Sequence, residues 1–281
     1  MEDFWACRID ASGQPGPDYW HFFAQRLADL ATIPNDAAIL DIGTYDGNVL
    51  FKAMERAGSR GLGVGADIYG GGLKDGAVES AALGLKNVFF VQMDAAHLGF
   101  PAETFHTVLA NFMGWDDWFD FDQMTFTAPD LWAAEIMRVL KPGGQVGIGG
   151  WNNQSDIEWI VAQIRRYLPD RVAELDRKRD RLMVSYGKEN PEGMEIVLRE
   201  GGFIDVHVHV EAVEFVSPDE ETWLRQMRQA ANDYFKQIPE EDPDTLARFK
   251  EQVFADLQPF TSPEGIRFTK TVQFAFGTKP S

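Results

Sequence analysis

The sequence predicts an α/β fold, a mostly parallel sheet flanked by helices, and three features carry that prediction. Residues Ile39 to Asn48, ILDIGTYDGN, run from an apolar strand into a glycine-containing turn, and the next residues, VLFKAMERAG once Val49 is reached, carry apolar side chains at helical spacing. Strand-like apolar runs recur and end on an acid each time, at Asp41, Asp67 and Asp94. Later, FIDVHVHVEAVEFV alternates, with Val206, Val208 and Val210 facing one way and His207, His209 and Glu211 the other. In an open α/β sheet a ligand sits beyond the carboxyl ends of the strands, where the first two features converge.

The spacing of the turn excludes two ligands. A dinucleotide fingerprint needs glycine at three places, and counting from Gly43 the other two hold Tyr45 and Asn48. A phosphate-cradling loop would end in Gly-Lys-Ser/Thr, a tripeptide found nowhere in the chain. Gly61 to Ala66 formally fits G-x-G-x-x-A, but it follows a helix and runs into Asp67, so it reads as a second strand. Asp67 lies 24 residues beyond Gly43, the spacing at which an acid accepts the ribose hydroxyls of a nucleoside. Neither G-x-S-x-G nor H-E-x-x-H occurs, which leaves a serine hydrolase or a zinc peptidase without support.

Composition narrows the partner. With 281 residues and 44% hydrophobic content the chain has enough material for one large α/β core with insertions. No run of about 18 apolar residues occurs, and the opening MEDFWACRID lacks a basic, apolar leader pattern, so a cytoplasmic protein with no membrane partner is expected. Cys7, the single cysteine, has no partner for an internal disulfide and fits a reducing compartment. A net charge of −18 argues against nucleic acid, whose binding leans on clustered Lys and Arg, and favours a small-molecule acceptor.

Along the chain, residues 1 to 17 read as a loop rich in Gly and Pro. Asp18 then caps a helix, YWHFFAQRLADLATI, with Trp20, Phe23, Leu27 and Leu30 on one face, either packing on the sheet or closing over a pocket. Gly70, Gly71 and Gly72 read as a pliable loop before a helix from about Leu73 to Leu83. The strand NVFFVQ leads to Asp94 and Ala95, and TVLAN delivers Asn111 to the same rim. Next comes FMGWDDWFDFDQMTF, whose Phe112, Trp115 and Trp118 read either as an acceptor wall or as a small satellite core, with Asp116 or Asp117 able to orient an amine or act as a base. In RVLKPGG, Lys141 lies near a helix end, Pro142 stops the helix, and Gly143 and Gly144 allow the reversal. His207 and His209 lack a third ligand at suitable spacing, so no metal is expected. Two amphipathic helices between residues 217 and 268 form an insertion, read as a cap over the acceptor or as a homodimer interface.

The pattern D-x-G-x-x-x-G at Asp41, Gly43 and Gly47 resembles the first motif of class I S-adenosylmethionine-dependent methyltransferases, with Tyr45 where the middle glycine stands. Asp67 with Ile68, and Asp94 with Ala95, are similar to the next two motifs. LGFPAETFHTV, with His106 in place of the usual aspartate, and RVLKPGG look like the ubiquinone/menaquinone-biosynthesis branch, also called methyltransferase type 11. These motifs run from residue 39 to residue 151. The resemblance implies a Rossmann-like, seven-stranded, mostly parallel sheet flanked by helices, its last strand antiparallel and preceded by the helical cap insertion. It divides a single domain into a lid segment (1–34), a core (35–216 and 269–281) and the cap (217–268). It implies S-adenosyl-L-methionine held by Asp41, Gly43, Thr44, Gly47, Asp67, Ile68, Asp94, Ala95 and Asn111, with Tyr19, Trp20, Phe112, Trp115 and Trp118 toward the acceptor. The expected reaction is methyl transfer to oxygen, nitrogen or carbon of a small molecule, with no catalytic residue assigned; His21, His97 and His106 are base candidates by residue type alone. Tyr45 either crowds the cofactor or turns its ring aside to line the pocket. It therefore keeps open an S-adenosylmethionine-binding protein that senses or catalyses another reaction. Gly61 to Ala66 leaves a nicotinamide oxidoreductase as the weaker alternative.

Overall fold

A computed structural model of the chain describes residues 5–10, 13–113, 119–120, 125–126, 131–170, 172–173, 191–236 and 243–281. Trp115, Asp116, Asp117 and Trp118 lie outside the described residues. In chain order the first elements are β1 (Cys7–Ile9), β2 (Pro15–Asp18), α1 (Tyr19–Leu30), β3 (Ala38–Ile42), α2 (Asn48–Ala57), β4 (Leu62–Asp67), α3 (Gly70–Ala82), β5 (Val88–Gln92) and β6 (Phe105–Asn111). Short strands β7 (Phe119–Asp120) and β8 (Thr125–Phe126) pair with each other, and α4 (Leu131–Val139), β9 (Leu140–Gln154) and α5 (Ser155–Tyr167) follow. The rest comprises α6 (Pro191–Glu200), β10 (Ile204–Ser217), α7 (Glu220–Ala230), α8 (Asn232–Phe235), α9 (Pro243–Asp256), β11 (Thr261–Ser262) and β12 (Gly265–Thr278).

The chain divides into two compact units. One takes residues 20–151, 187–210 and 272–281, the other residues 1–19, 152–186 and 211–271. This differs from the division into lid, core and cap. Helix α1 from Trp20 onward goes with the core, and α5 goes with the insertion helices. The reason lies in the side chains: Phe23 and Leu27 of α1 are fully buried, while Ile160 and Ile164 of α5 join Trp223, Tyr234 and Phe249 in a separate apolar cluster.

In the larger unit the strands lie in the order β10-β12-β9-β6-β3-β4-β5. Strands β3, β4, β5, β6 and β9 are parallel, with Leu40 opposite both Val64 and Val108. Reciprocal backbone bonds, Gly143 N–H to Lys279 O (3.0 Å) and Lys279 N–H to Gly144 O (2.8 Å), show β12 running antiparallel to β9. This is the predicted sheet with its closing antiparallel strands. Its core packs Leu40, Val108, Val146 and Ile148 against Trp132 and Ile136 of α4, burial that contributes about 2 kcal/mol for each large apolar side chain. In the last turn of α4, Arg138 donates to Leu98 O (2.6 Å), Phe100 O (2.7 Å) and Glu135, fastening the loop between β5 and β6. The helix ends at Val139, and β9 already starts at Leu140, with Gly143 (φ 75°) making the turn inside it.

In the smaller unit, residues expected to form a loop make strands instead. Gly13 takes φ 81°, Gln14 N–H donates to Asp10 Oδ1 (3.0 Å), and the reversal lets β1 pair with β2 and, through Cys7 opposite Val216, with β10. Backbone pairing thus overrides a composition that reads as a loop. Asp219 caps α7 by accepting from Thr222 N–H at 2.7 Å. Within the same unit Lys270 and Asp156, 2% and 4% exposed, form a bidentate ion pair at 2.9 and 2.7 Å, with the ammonium 4.8 Å from the centre of the Tyr19 ring.

Candidate active site

The carboxyl ends of β3, β4, β5 and β6 meet at one edge of the larger unit, and the turn after β3 is built there by its neighbours. Gly43 and Thr44 both donate backbone N–H groups to Ala66 O, at 2.8 and 3.2 Å. Asp67 then accepts from Tyr45 N–H through Oδ2 (2.8 Å) and from Tyr69 N–H through Oδ1 (2.9 Å). One carboxylate at the end of β4 therefore fastens both the β3 turn and the start of α3. Gly43, Tyr45 and Gly47 all have left-handed backbones, with φ of 68°, 50° and 95°. Asp41 is 1% exposed and accepts the Thr44 hydroxyl at 2.6 Å. Burial pushes its carboxyl up to about 7, against the Thr44 and Leu50 bonds, with the charges of Asp67 and Asp46 adding to the rise. Asp46, half-buried in the same turn, is also raised by burial, while the charge of His21 pulls it down.

These strand ends surround a cleft of about 240 Å³. Of the predicted site residues, Gly43, Asp67, Ile68, Asp94, Ala95 and Phe112 line it. Asp94 accepts from Ala96 N–H (2.8 Å) and lies 3.3 Å from His97 Nδ1. Asp41, Thr44 and Gly47 stand behind the lining as supports of the turn. Asn111 also stands behind it, its Oδ1 buried without a partner in the space that a side chain at Gly149 would fill. Sequence reasoning left out Tyr69, Met93 and Met113 and left Tyr45 undecided; all four line the cleft. The two methionines each follow or precede a predicted residue, and that adjacency was their only signal.

Phe112 has φ 51°, an uncommon backbone for a bulky residue. Its ring stacks on Trp151, with centroids 4.1 Å apart and planes at 19°, and Trp20 stands edge-on to both. Trp20 thus supports Phe112, as Trp151 does, a residue that no motif marks. Tyr19 belongs to the smaller unit, where it is buried edge-on to Trp5 and Phe215.

Among the base candidates, His106 is removed by its position. It lies at the amino ends of β3 and β6, where Nδ1 accepts from Ala38 N–H at 2.9 Å and Nε2 is 3.0 Å from Lys141 Nζ. Burial and Lys141 hold its pKa below the usual histidine value. His97 stays beside Asp94, and His207 stacks on Phe276 with centroids 5.3 Å apart.

The glycines of Gly61 to Ala66 serve packing. A side chain at Gly63 would collide with Met54 Sδ of α2 at 2.8 Å, and one at Gly65 with Thr44 at 2.8 Å. They bring α2 and the β3 turn close to β4 and open no helix, which removes the structural basis for a nicotinamide site. The three glycines expected to form a loop lie inside the first turn of α3.

Residues 33–183 match the family described as a methyltransferase domain. Nocamycin O-methyltransferase of Saccharothrix syringae is 28% identical over 93% of this chain and 92% of its own length. A ubiquinone/menaquinone biosynthesis C-methyltransferase of Saccharophagus degradans is 31% identical over 43% of this chain and 46% of its own. Among solved structures, the YcgJ protein of Bacillus subtilis superposes with a TM-score of 0.57 at 14% identity, over 93% of this chain and 99% of that one, a likeness of fold. With the family matching over more than half its length, the chain belongs to the methyltransferase-domain family, and it is an S-adenosylmethionine-dependent methyltransferase.

Proposed function

We propose that the cleft at the ends of β3 to β6 holds S-adenosylmethionine and that the chain methylates an oxygen of a small molecule. The observation that carries this is the convergence of Asp67 and Asp94 on one cleft whose other lining includes the apolar Ile42, Ala66, Met93 and Met113. The donor set fits the cofactor: the carboxylates of Asp67 and Asp94 as acceptors for hydroxyl and amino groups and as negative charge for a cation, and an apolar surface for a base. Ile68, Ala95 and Gly43 complete the lining, while Asp41, Thr44 and Gly47 act through the turn. Asn111 holds the chain that presents Phe112. Oxygen as the accepting atom is supported by the O-methyltransferase relative that spans nearly the whole chain; carbon is the second reading, supported by the shorter match to a C-methyltransferase.

When bound, S-adenosylmethionine supplies a methyl group activated by its sulfonium. The chain's own residues orient and exclude water: Phe112, Met113 and Met93 form an apolar wall, and proximity in such a site replaces much of the entropic cost of a bimolecular step. His97 lies 3.3 Å from Asp94, which lines the cleft, and is a candidate to take a proton. The charge of −18 supports a non-nucleic-acid acceptor, and no helix among the described residues is long and apolar enough to cross a membrane.

Calorimetric titration with S-adenosylmethionine and S-adenosylhomocysteine tests this reading. Saturable binding is expected, weakened at least tenfold by Asp67→Ala and by Asp94→Ala. A methylation assay over a panel of phenols, enols and carboxylic acids then reads the acceptor. Absence of binding to folded wild-type protein would overturn the reading.

A further inference from the structure

Tyr45 occupies the place of a motif glycine, and the structure shows how the chain accommodates it. Its backbone keeps the left-handed conformation that a glycine adopts freely, at φ 50°, secured by the bond from its N–H to Asp67. Its ring rests on α3 where the helix has no side chain: a Cβ added to Gly72 would lie 2.6 Å from Tyr45 Cδ2 and 2.8 Å from Cγ. The glycine missing from the turn is in effect supplied by the facing helix. Despite this seat, Tyr45 is 60% exposed and lines the cleft. Carboxylates flank it, since Asp67 holds its amide and Asp46 follows it in the turn, with His21 opposing Asp46.

An aromatic face among carboxylates attracts a cation more strongly than it attracts a neutral thioether, whose sulfur–ring contact lacks the charge. Resting on the reading that S-adenosylmethionine binds in this cleft, we propose that Tyr45 is a specificity residue of the cofactor site, seated by Gly72, whose ring favours the cationic sulfonium cofactor over its neutral thioether product. The substitution that departs from the family's first motif is then a means of retaining cofactor and releasing product. A leucine at position 45 keeps an apolar side chain and removes the ring electrons; phenylalanine keeps the ring and removes only the hydroxyl.

The test is the ratio of dissociation constants for S-adenosylhomocysteine and S-adenosylmethionine, measured by calorimetry on wild type, Tyr45→Phe, Tyr45→Leu, Gly72→Ala and the double variant Tyr45→Leu/Gly72→Ala. Circular dichroism checks that each is folded. The expected result is a ratio kept by Tyr45→Phe and lowered about fivefold by Tyr45→Leu. Gly72→Ala should lower it at least as far, because its Cβ would displace both the ring and the Tyr45 backbone, and the double variant should lose no more than Gly72→Ala. An unchanged ratio in Tyr45→Leu would overturn the proposal while leaving the cofactor site intact. If neither ligand binds folded wild-type protein, the cofactor reading itself fails.

Discussion

Asp41 in the larger unit and Asp156 in the smaller are both almost completely buried, yet the chain treats them in opposite ways. Asp156 meets the Lys270 ammonium with both oxygens, and Gln154 adds a third acceptor for that cation at 3.2 Å. Burial pulls the lysine's pKa down while Asp156 opposes the fall. Asp41 has no cation among its principal influences. It has the Thr44 hydroxyl and the Leu50 amide, and the negative charges of Asp67 and Asp46 bear on it. The first carboxylate is balanced by a partner, and the second is pushed by burial toward its protonated form. A buried charge persists where its partner is part of the fold, whereas one beside a ligand cleft can wait for the ligand.

Breaking the pair should give the largest effect. Lys270→Met leaves the Asp156 carboxylate buried and unpaired, and a loss of about 3 to 5 kcal/mol is expected in urea unfolding. The double variant Lys270→Met/Asp156→Leu should recover most of that loss; a double variant as unstable as the single one would mean that Lys270 acts through packing on Tyr19 instead.

The second prediction concerns pH. Because the folded-state pKa of Asp41 lies above its ordinary value of 3.8, at about 7, the folded chain binds the extra proton between those values. Its contribution is complete below pH 4 and is lost as the pH rises toward 7, by up to about 4 kcal/mol. Asp41→Asn abolishes that titration, so its stability relative to wild type should climb from pH 4 to pH 7 and level off above 8. A difference constant with pH would show that Asp41 stays ionised.

The smallest effect should come from Thr44→Val, which removes a donor to the Asp41 carboxylate. A cost of about 1 kcal/mol at neutral pH is expected, together with an upward move of the Asp41 midpoint in a pH-resolved unfolding series. The ion pair in the smaller unit should be indifferent to it, which makes Lys270→Met the control.

The same contrast sorts what could be read in advance. Asp41, Asp67 and Asp94 were legible because the end of an apolar run is a local property of the chain, and parallel pairing then brings local ends to one rim. The turn RVLKPGG was legible for the same reason, although its helix ends at Val139 and β9 starts sooner. Lys270 with Asp156, 114 residues apart, carried no such signal. Nor did Trp151 behind Phe112, or Gly72 beneath Tyr45.

Chain order and periodicity were enough for the parallel sheet and the acid at each strand end, and the resemblance of short motifs was enough for the family, since each run and each motif lies within a dozen positions. The seat of Tyr45, the protonation of Asp41, the removal of His106 from the cleft and the departure of Tyr19 to the other unit were decided by tertiary structure. Each depends on which distant backbone, charge or cavity packs against the residue, and burial and close approach arise only when the chain is folded.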